Sequence, residues 1–444
     1  SMGEMDAYAQ QTEGTTEEPA AIKEVKETPA LKAPEAVKAA ASMPAQDIEA
    51  IKKAVIEELR GEIRRTLAAE IADEIVGSLS ERLLGGKGID LTARKESPPK
   101  KSGAMEVKKP AVTASERISA IKSFAVVKVK NELSVRRVKL GATRKEGGTR
   151  GSILEVGGAS VMPFHHFEGD AGRRPLVAME VFDRPGEKYP PVLRALWGDL
   201  LEKPALMAQA CVERHGADLI SVRLDGTHPQ RGARSASEAV RTVKELLSAV
   251  SVPLIVTGHN HYESMNEVMK EIARECAGEN LLLNWVEQDN YRTIAGAALA
   301  YGHTLVAQSP IDVNIAKQLN ILLTNMSVKP ESIVIDPMTG ALGYGLEYCY
   351  SVMERIRLTA LGGDVMLACP MIVSPGQECA KIKELRASEE DFPEWGDLAR
   401  RAAIWELSTA TSMLYAGADI LIMYHPEAAE ALKKTIYSLM DGRT

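Results

Sequence analysis

Cysteine is scarce in this chain: there are five, Cys211, Cys276, Cys349, Cys369 and Cys379, odd in number and scattered, with no pair two apart. That spacing suggests neither a disulfide framework nor an iron–sulfur motif. No apolar run reaches the roughly 18 residues of a membrane span, and the N-terminal region is polar and alanine-rich without a signal-peptide core, so a cytoplasmic location is expected. An excess of basic charge is also lacking. With a formal charge of −7 and a pI near 5.8, the chain has none of the basic character that nucleic-acid binding usually requires. Three catalytic or nucleotide signatures are absent as well: a Gly-x-Ser-x-Gly elbow, a Walker phosphate loop, and a Rossmann fingerprint after a strand.

What is present falls into four stretches. Residues 1–44 are dominated by Ala, Glu, Lys, Pro and Thr, with too little apolar surface to offset the entropy of ordering, and are expected to be disordered. Residues 45–86 carry Ile48, Ile51, Val55, Leu59, Ile63, Leu67, Ile71, Ile75, Leu79 and Leu83 at steps of three or four, the mark of an amphipathic helix. The stripe advances 35 residues in nine steps, more than the 3.5 per step of a left-handed coiled coil, and so drifts around the helix. Two uses stay open for it: packing on its own domain, or serving as a docking handle at the end of the linker expected at 87–123. Residues 124–444 are expected to form one domain, a β-hairpin cap followed by an α/β unit.

That unit alternates strand and helix. Apolar strands are expected at Pro175–Phe182, Asp218–Leu224, Pro253–Thr257, Leu281–Trp285, Thr304–Gln308, Ser332–Ile335, Val365–Leu367 and Asp419–Met423. Helices are expected between them, at Leu206–His215, Ser237–Val250, Asn266–Cys276, Tyr291–Tyr301, Ile315–Asn325, Glu347–Leu361 and Ala399–Tyr415, and after the last, at Pro426–Met440. Eight such repeats predict a (β/α)8 TIM barrel. The cap is read from short strands and glycine turns before Phe167.

Barrel ligands sit beyond the C-terminal strand ends. The candidates there are Asp183, Asp225 with Thr227, Gly258 to His261, Asn284 with Glu287, Ser309 with Asp312 and Asn314, Asp336 with Thr339, Pro370 to Ser374, and Tyr424 with His425. Asp225, Asp312 and Asp336 could equally cap helices or turns. His259 and His261 have the spacing of a metal pair, but no third and fourth ligand follows at a recognised spacing. The sixth strand opens into Asp336-Pro-Met-Thr-Gly-Ala-Leu-Gly-Tyr-Gly345, where glycine permits close backbone approach to a large ligand. Ser309, Asn314, Thr339 and Tyr344 suit hydrogen bonding to a large neutral organic molecule.

Four segments carry a family resemblance: Arg174-Pro-Leu-Val-Ala-Met-Glu-Val-Phe-Asp183, Gln308 to Leu323, Asp336 to Arg357, and Pro393-Glu-Trp-Gly396. They are similar to the delta subunit of the archaeal acetyl-CoA decarbonylase/synthase complex, the small subunit of the corrinoid iron–sulfur protein, over roughly Val135 to Met440. The resemblance implies a non-autonomous barrel that pairs with the large corrinoid and iron–sulfur (gamma) subunit. Its role would be to shield the cobamide during methyl transfer from a methyl-tetrahydropterin to the nickel site of acetyl-CoA synthase, in an assembly that includes CO dehydrogenase. It implies a corrinoid at the subunit interface, with no metal or cluster bound by this chain alone. Ser309, Asp312, Asn314, Thr339, Gly340, Gly343 and Tyr344 would then contact the corrin edge and its amides. No Asp-x-His-x-x-Gly segment is present to supply cobalt with a histidine. His259-x-His261 lies outside the family pattern, and the long N-terminal extension is more like archaeal members. Two rivals are a stand-alone pterin-dependent methyltransferase, which could recruit Asp225, Asn284 and Asp312, and a metal hydrolase using His259 and His261.

Overall fold

The computed structural model describes residues 128–186 and 189–441, and the expectations for 1–44, 45–86 and 87–123 lie outside the described residues. A short antiparallel pair, β1 (Val138–Leu140) and β2 (Leu154–Val156), precedes eight parallel strands. These are β3 (Leu176–Phe182), β4 (Leu219–Arg223), β5 (Leu254–Thr257), β6 (Leu282–Val286), β7 (Thr304–Gln308), β8 (Ile333–Asp336), β9 (Ile372–Val373) and β10 (Ile420–Met423). They hydrogen-bond in the order β8-β7-β6-β5-β4-β3-β10-β9. A parallel bridge from Ile335 to Met371 closes the ring, and the Ile335 N–H donates to the Pro370 carbonyl at 2.8 Å. The fold is a (β/α)8 barrel.

The helices that follow the strands are α1 (Pro191–Trp197) and α2 (Pro204–Glu213), then α3 (Ala236–Ala249), α4 (Tyr262–Glu275), α5 (Tyr291–Tyr301), α6 (Val313–Asn325), α7 (Leu346–Leu361), α8 (Pro375–Cys379), α9 (Leu398–Tyr415) and α10 (Pro426–Met440). Strand residues alternate between two buried environments, which is why the strands read as unbroken apolar runs. Val177, Met179, Val181, Ile220, Val222 and Leu283 face the helices. Leu176, Ala178, Leu219, Ile255, Leu282, Val306, Val334, Ile420 and Ile422 fill the barrel interior together with Val138, Leu140 and Val156 of the hairpin. The hairpin therefore seals the N-terminal mouth. Its backbone confirms the position: Gly141 N–H donates to Asn280 O at 3.1 Å and Gly151 N–H to Ser251 O at 2.8 Å, both ahead of strand starts.

One expected strand is displaced. Val365–Leu367 is a turn, and the strand is Ile372–Val373. Asp364 makes the turn by accepting from the Met366 N–H at 2.9 Å while pairing with Lys317 at 2.7 Å, and Asn320 Nδ2 donates to Met366 O at 2.7 Å. Val365 stays 46% exposed, whereas Met371, Ile372 and Val373 are buried. Two helices, α1 and α8, were not expected at all. Helix α4 starts at Tyr262, ahead of the expected Asn266, because His261 caps it by accepting from Ser264 N–H at 3.4 Å.

Candidate functional site

With the hairpin closing one end, the C-terminal strand ends form the open mouth of the barrel among the described residues. There a cavity of about 1360 Å³ is lined by Phe182, Arg223, Asn284, Trp285, Gln308, Asp336, Tyr424 and their neighbours. Its floor is a polar layer of the barrel interior, formed where the inward-facing positions change from aliphatic to polar. Glu180 stands at its centre. Glu180 Oε2 accepts from Arg223 Nε at 2.7 Å and from the Tyr424 hydroxyl at 2.6 Å, and Oε1 accepts from Ser221 Oγ at 2.8 Å. Arg223 Nη2 reaches Gln377 Oε1 at 2.6 Å, which ties the floor to α8. Burying a carboxylate and a guanidinium is tolerable only because each is paired and hydrogen-bonded.

The layer continues from Ser221 to Thr257 Oγ1 at 2.9 Å, and from there to Asn284 Nδ2 at 3.1 Å. On the far side, Asp336 accepts from Gln308 Nε2 at 2.8 Å and from the Met338 N–H at 2.8 Å. Burial outweighs those two bonds and pushes the Asp336 carboxyl up to about 6. Asp183, beside the rim, is also pushed by burial to about 6, against the Gly226 N–H bond at 2.9 Å and Arg234 at 3.6 Å. The Trp285 indole N–H and the Tyr262 hydroxyl both donate to Glu287, at 2.7 and 2.5 Å, fixing one aromatic wall.

The residues assigned to the corrin edge divide by location. Thr339 lines the cavity and accepts from Ser374 N–H at 2.9 Å. Ser309 is fully buried beneath the rim, its N–H donating to Asp336 O at 2.8 Å. Asp312 is the N-cap of α6, with Oδ1 accepting from Asn314 N–H at 2.6 Å and Ile315 N–H at 3.0 Å, so this carboxylate has the capping use that the sequence left open. Asn314 is exposed on the first turn. Gly340 lets the loop fold on itself, since a Cβ there would lie 2.7 Å from the Gly345 backbone. Gly343 has φ +77° and open space where a side chain would be, and Tyr344 is exposed with its hydroxyl on Glu384 at 2.8 Å.

The His259-x-His261 pair is engaged within the protein. Thr227 spends its proton on Leu224 O at 2.8 Å, so His259 Nε2 donates to Thr227 Oγ1 at 3.0 Å, and His259 Nδ1 accepts from the His261 N–H at 3.2 Å. Both ring nitrogens of His259 are committed, and burial lowers its pKa to about 4. A third histidine, His228, packs edge-on against both rings at 5.0 and 5.7 Å. Among the described residues, no group of three or more His, Cys, Asp or Glu is placed to hold a metal ion, and no helix is long and apolar enough to cross a membrane.

The sequence reading passed over Glu180, Ser221, Arg223, Thr257, Gln308 and Gln377. A signal existed for two of them: Glu180 and Arg223 interrupt apolar strands, and a charge inside a buried strand demands a partner.

Glu406 of α9 fixes the corner beside Tyr424, accepting from the Tyr424 N–H at 2.6 Å and the His425 N–H at 3.0 Å. Burial without a counter-charge raises its pKa from 4.5 to about 7, although the two N–H donors pull the other way. A raised folded pKa means that Glu406 favours folding below pH 4.5 and that this contribution is lost as pH rises through 7. Glu406→Gln should remove a loss of about 3 kcal/mol over that window. Urea unfolding at pH 5 and pH 8 checks this: the gap between variant and parent should widen in the variant's favour at pH 8, and an unchanged gap would refute it.

The fold and this site define a (β/α)8 barrel protein with one sealed mouth and a large, hydrogen-bonding cavity at the other. Residues 137–438 match the profile described as CO dehydrogenase/acetyl-CoA synthase delta subunit, and the chain belongs to that family. It is 36% identical over 310 residues to the acetyl-CoA decarbonylase/synthase complex subunit delta of Methanopyrus kandleri, covering 70% of this chain and 76% of that protein. It is also 36% identical over 314 residues to the same subunit of Archaeoglobus fulgidus, covering 70% and 69%. Among solved structures, dihydropteroate synthase of Xanthomonas albilineans aligns with a TM-score of 0.44 at 15% identity, over 69% of this chain and 100% of that one. The enzyme from Coxiella burnetii gives 0.44 at 13%, over 68% and 99%.

Proposed function

We propose that this chain is the small subunit of a corrinoid iron–sulfur protein. In this reading it pairs with the large corrinoid and iron–sulfur (gamma) subunit and closes over the cobamide during methyl transfer from a methyl-tetrahydropterin to the nickel site of acetyl-CoA synthase. It also helps hold these subunits and CO dehydrogenase in one assembly. Relatives named as subunits of the acetyl-CoA decarbonylase/synthase complex support the assembly role.

The observation that carries the cofactor role is the rim made by the loops after β7 and β8. Ile311, Met338, Leu342 and Tyr344 are exposed there. Two of them are held in left-handed backbone, Ile311 at φ 52° and Met338 at φ 64°. For an isoleucine this conformation costs on the order of 1–3 kcal/mol, and such strain persists where the surroundings impose it and tends to mark binding surfaces. Ile311 is held by its N–H to Ser309 O at 2.8 Å, and Met338 by its N–H to Asp336. Apolar side chains beside the open backbone of Gly343, the Asn314 amide and the Tyr344 hydroxyl match a corrin, whose edge alternates methyl groups with amides. Ser309, Asp312, Thr339 and Gly340 shape these two loops from beneath and beside. When bound, the cobamide supplies a nucleophilic cobalt; the residues of this chain exclude water from one face and orient the ring.

The test is co-expression with and without the large subunit. A stable heterodimer should form, with the visible corrinoid spectrum and methyl transfer only when both chains are present. Methyl transfer catalysed by the lone chain, or two chains that do not associate, would overturn the reading.

A further inference from the structure

The loop 388–397 has no part in the cavity or its rim, although it contains the family motif Pro393-Glu-Trp-Gly396. From Ala387 to Ala399 the chain carries Glu389, Glu390, Asp391, Glu394 and Asp397 and no lysine or arginine. The loop leads from α8 into α9 and so stands at the C-terminal end of the barrel, yet none of its residues lines the cavity. Its own hydrogen bonds fix its shape. Ser388 Oγ donates to Asp391 Oδ2 at 2.7 Å and Phe392 N–H to Ser388 O at 3.2 Å. Glu389 and Asp397 accept from Leu398 N–H and Arg400 N–H at the start of α9, at 2.8 and 2.7 Å.

This frame holds Phe392 and Trp395 at the surface, their rings stacked at 4.1 Å and 11°. The Arg401 guanidinium lies over Trp395, 5.5 Å from the ring centre; it is 7% exposed, and its Nε and Nη1 have no acceptor. The buried cation beneath the loop is thus covered by an aromatic ring and not by a carboxylate. Among the described residues, no ion pair engages any of the five acids.

The opposite end of the barrel carries the opposite charge. On the sealing hairpin, Val138 and Leu140 face the interior, so Arg137 and Lys139 point outward, and Arg144 and Lys145 occupy the turn that leads to β2. All four are exposed, and among the described residues no ion pair engages them. The carboxylates beside them are already engaged: Glu146 accepts from Thr143 N–H at 3.1 Å, Glu155 pairs with Arg173 at 2.9 Å, and Glu279 with Arg150 at 3.2 Å. Patches at opposite ends of one barrel cannot meet within a chain. Between two chains they can.

We infer that the Phe392–Trp395 loop of one copy docks on the basic hairpin face of a second copy of this chain. Phe392, 38% exposed, presents its ring to an arginine of that face, and Glu390, Asp391 and Glu394 take the remaining cations. The contact is heterologous, so each copy keeps one free loop and one free hairpin, and association continues head to tail. Exposed ion pairs are individually weak and screened by salt, so the contact forms at low ionic strength and dissolves as salt rises. It is independent of the cobamide reading, because it uses the flank of the mouth and the sealed end.

Sedimentation velocity of the full chain over a range of concentrations, in about 0.01 M and about 1 M salt, tests this contact. The average mass should rise with concentration at low salt and fall back at high salt. Glu390→Lys/Glu394→Lys and Arg144→Glu/Lys145→Glu alter only exposed side chains. Each alone should weaken the salt-sensitive association at least roughly ten-fold, because like charges then face each other. Mixing the two variants should restore it, since each copy then meets opposite charge at both ends. A chain without salt-sensitive association, association indifferent to either reversal, or a mixture that does not recover would overturn the contact. Pairing with the large subunit, scored separately in the same preparations, reports on the proposed function.

Discussion

Arg223→Met should destabilise the barrel by about 3–5 kcal/mol, because it strands Glu180 as an uncompensated buried charge. The two side chains are 6% and 0% exposed and meet at 2.7 Å. Methionine fills the volume but donates nothing, and Glu180 loses its paired cation. Gln377, which accepts from Arg223 at 2.6 Å, is released at the same time, loosening α8 against the cavity. Much of the penalty belongs to the orphaned carboxylate, so removing that charge as well should offset it. The double variant Glu180→Gln/Arg223→Met should regain at least about 2 kcal/mol, since the glutamine oxygen can still accept from Tyr424 while its amide N–H donates to Ser221 Oγ. Chemical denaturation of the parent, both single variants and the double variant closes the cycle. A loss below about 1 kcal/mol for Arg223→Met would mean that water reaches Glu180 and that the floor is not dry.

Arg150→Ala should have an effect of similar size, about 3–5 kcal/mol, at the opposite mouth. The Arg150 side chain is 1% exposed and pairs through Nε with Glu279 Oε2 at 3.2 Å. Its Nη atoms donate to Leu247 O at 2.5 Å, Val250 O at 2.6 Å and Val252 O at 3.2 Å, carbonyls at and just beyond the end of α3. A helix leaves its last carbonyls without intrahelical partners and carries partial negative charge there, so a guanidinium satisfies both needs. Burial lowers the Arg150 pKa, with Glu279 opposing it. Truncation would orphan three carbonyls, leave Glu279 with the Thr149 N–H at 3.1 Å but without its counter-charge, and release the hairpin that seals the barrel. Arg150→Lys should recover only a minor part, because one ammonium cannot span the same fork. Thermal unfolding and hydrogen exchange of the Val138–Val156 amides measure both consequences; intact hairpin protection in Arg150→Ala would contradict the sealing role.

Much of the barrel was readable because parallel strands buried on both faces must be apolar throughout, and glycine or polar residues must punctuate them. Thr304–Gln308, Tyr291–Tyr301 and Pro426–Met440 fall where the pattern put them. Ile372–Val373 was missed because a two-residue strand has no periodicity to detect, while Val365–Leu367 offered three apolar residues that a single aspartate bends into a turn. At the site, Asn284, Asp336, Thr339 and Tyr424 were found by their position after strands. The rest of the polar layer, Glu180, Ser221, Arg223 and Gln377, is joined by contacts such as Glu180 to Arg223 and Glu180 to Tyr424, 43 and 244 residues apart, and no local pattern pairs them.

The repeat, the side of the barrel on which chemistry could occur and, through its long motifs, the family are legible along the chain, since these depend on local periodicity and on residue identity. That the hairpin seals the other mouth, that Asp312 is a helix cap, and that Thr257 engages the Asn284 amide nitrogen while its buried oxygen has no partner follow from packing across the ring. Those outcomes depend on which side chains meet across the ring, and a closed barrel brings together residues whose separation in the chain carries no information about their contact.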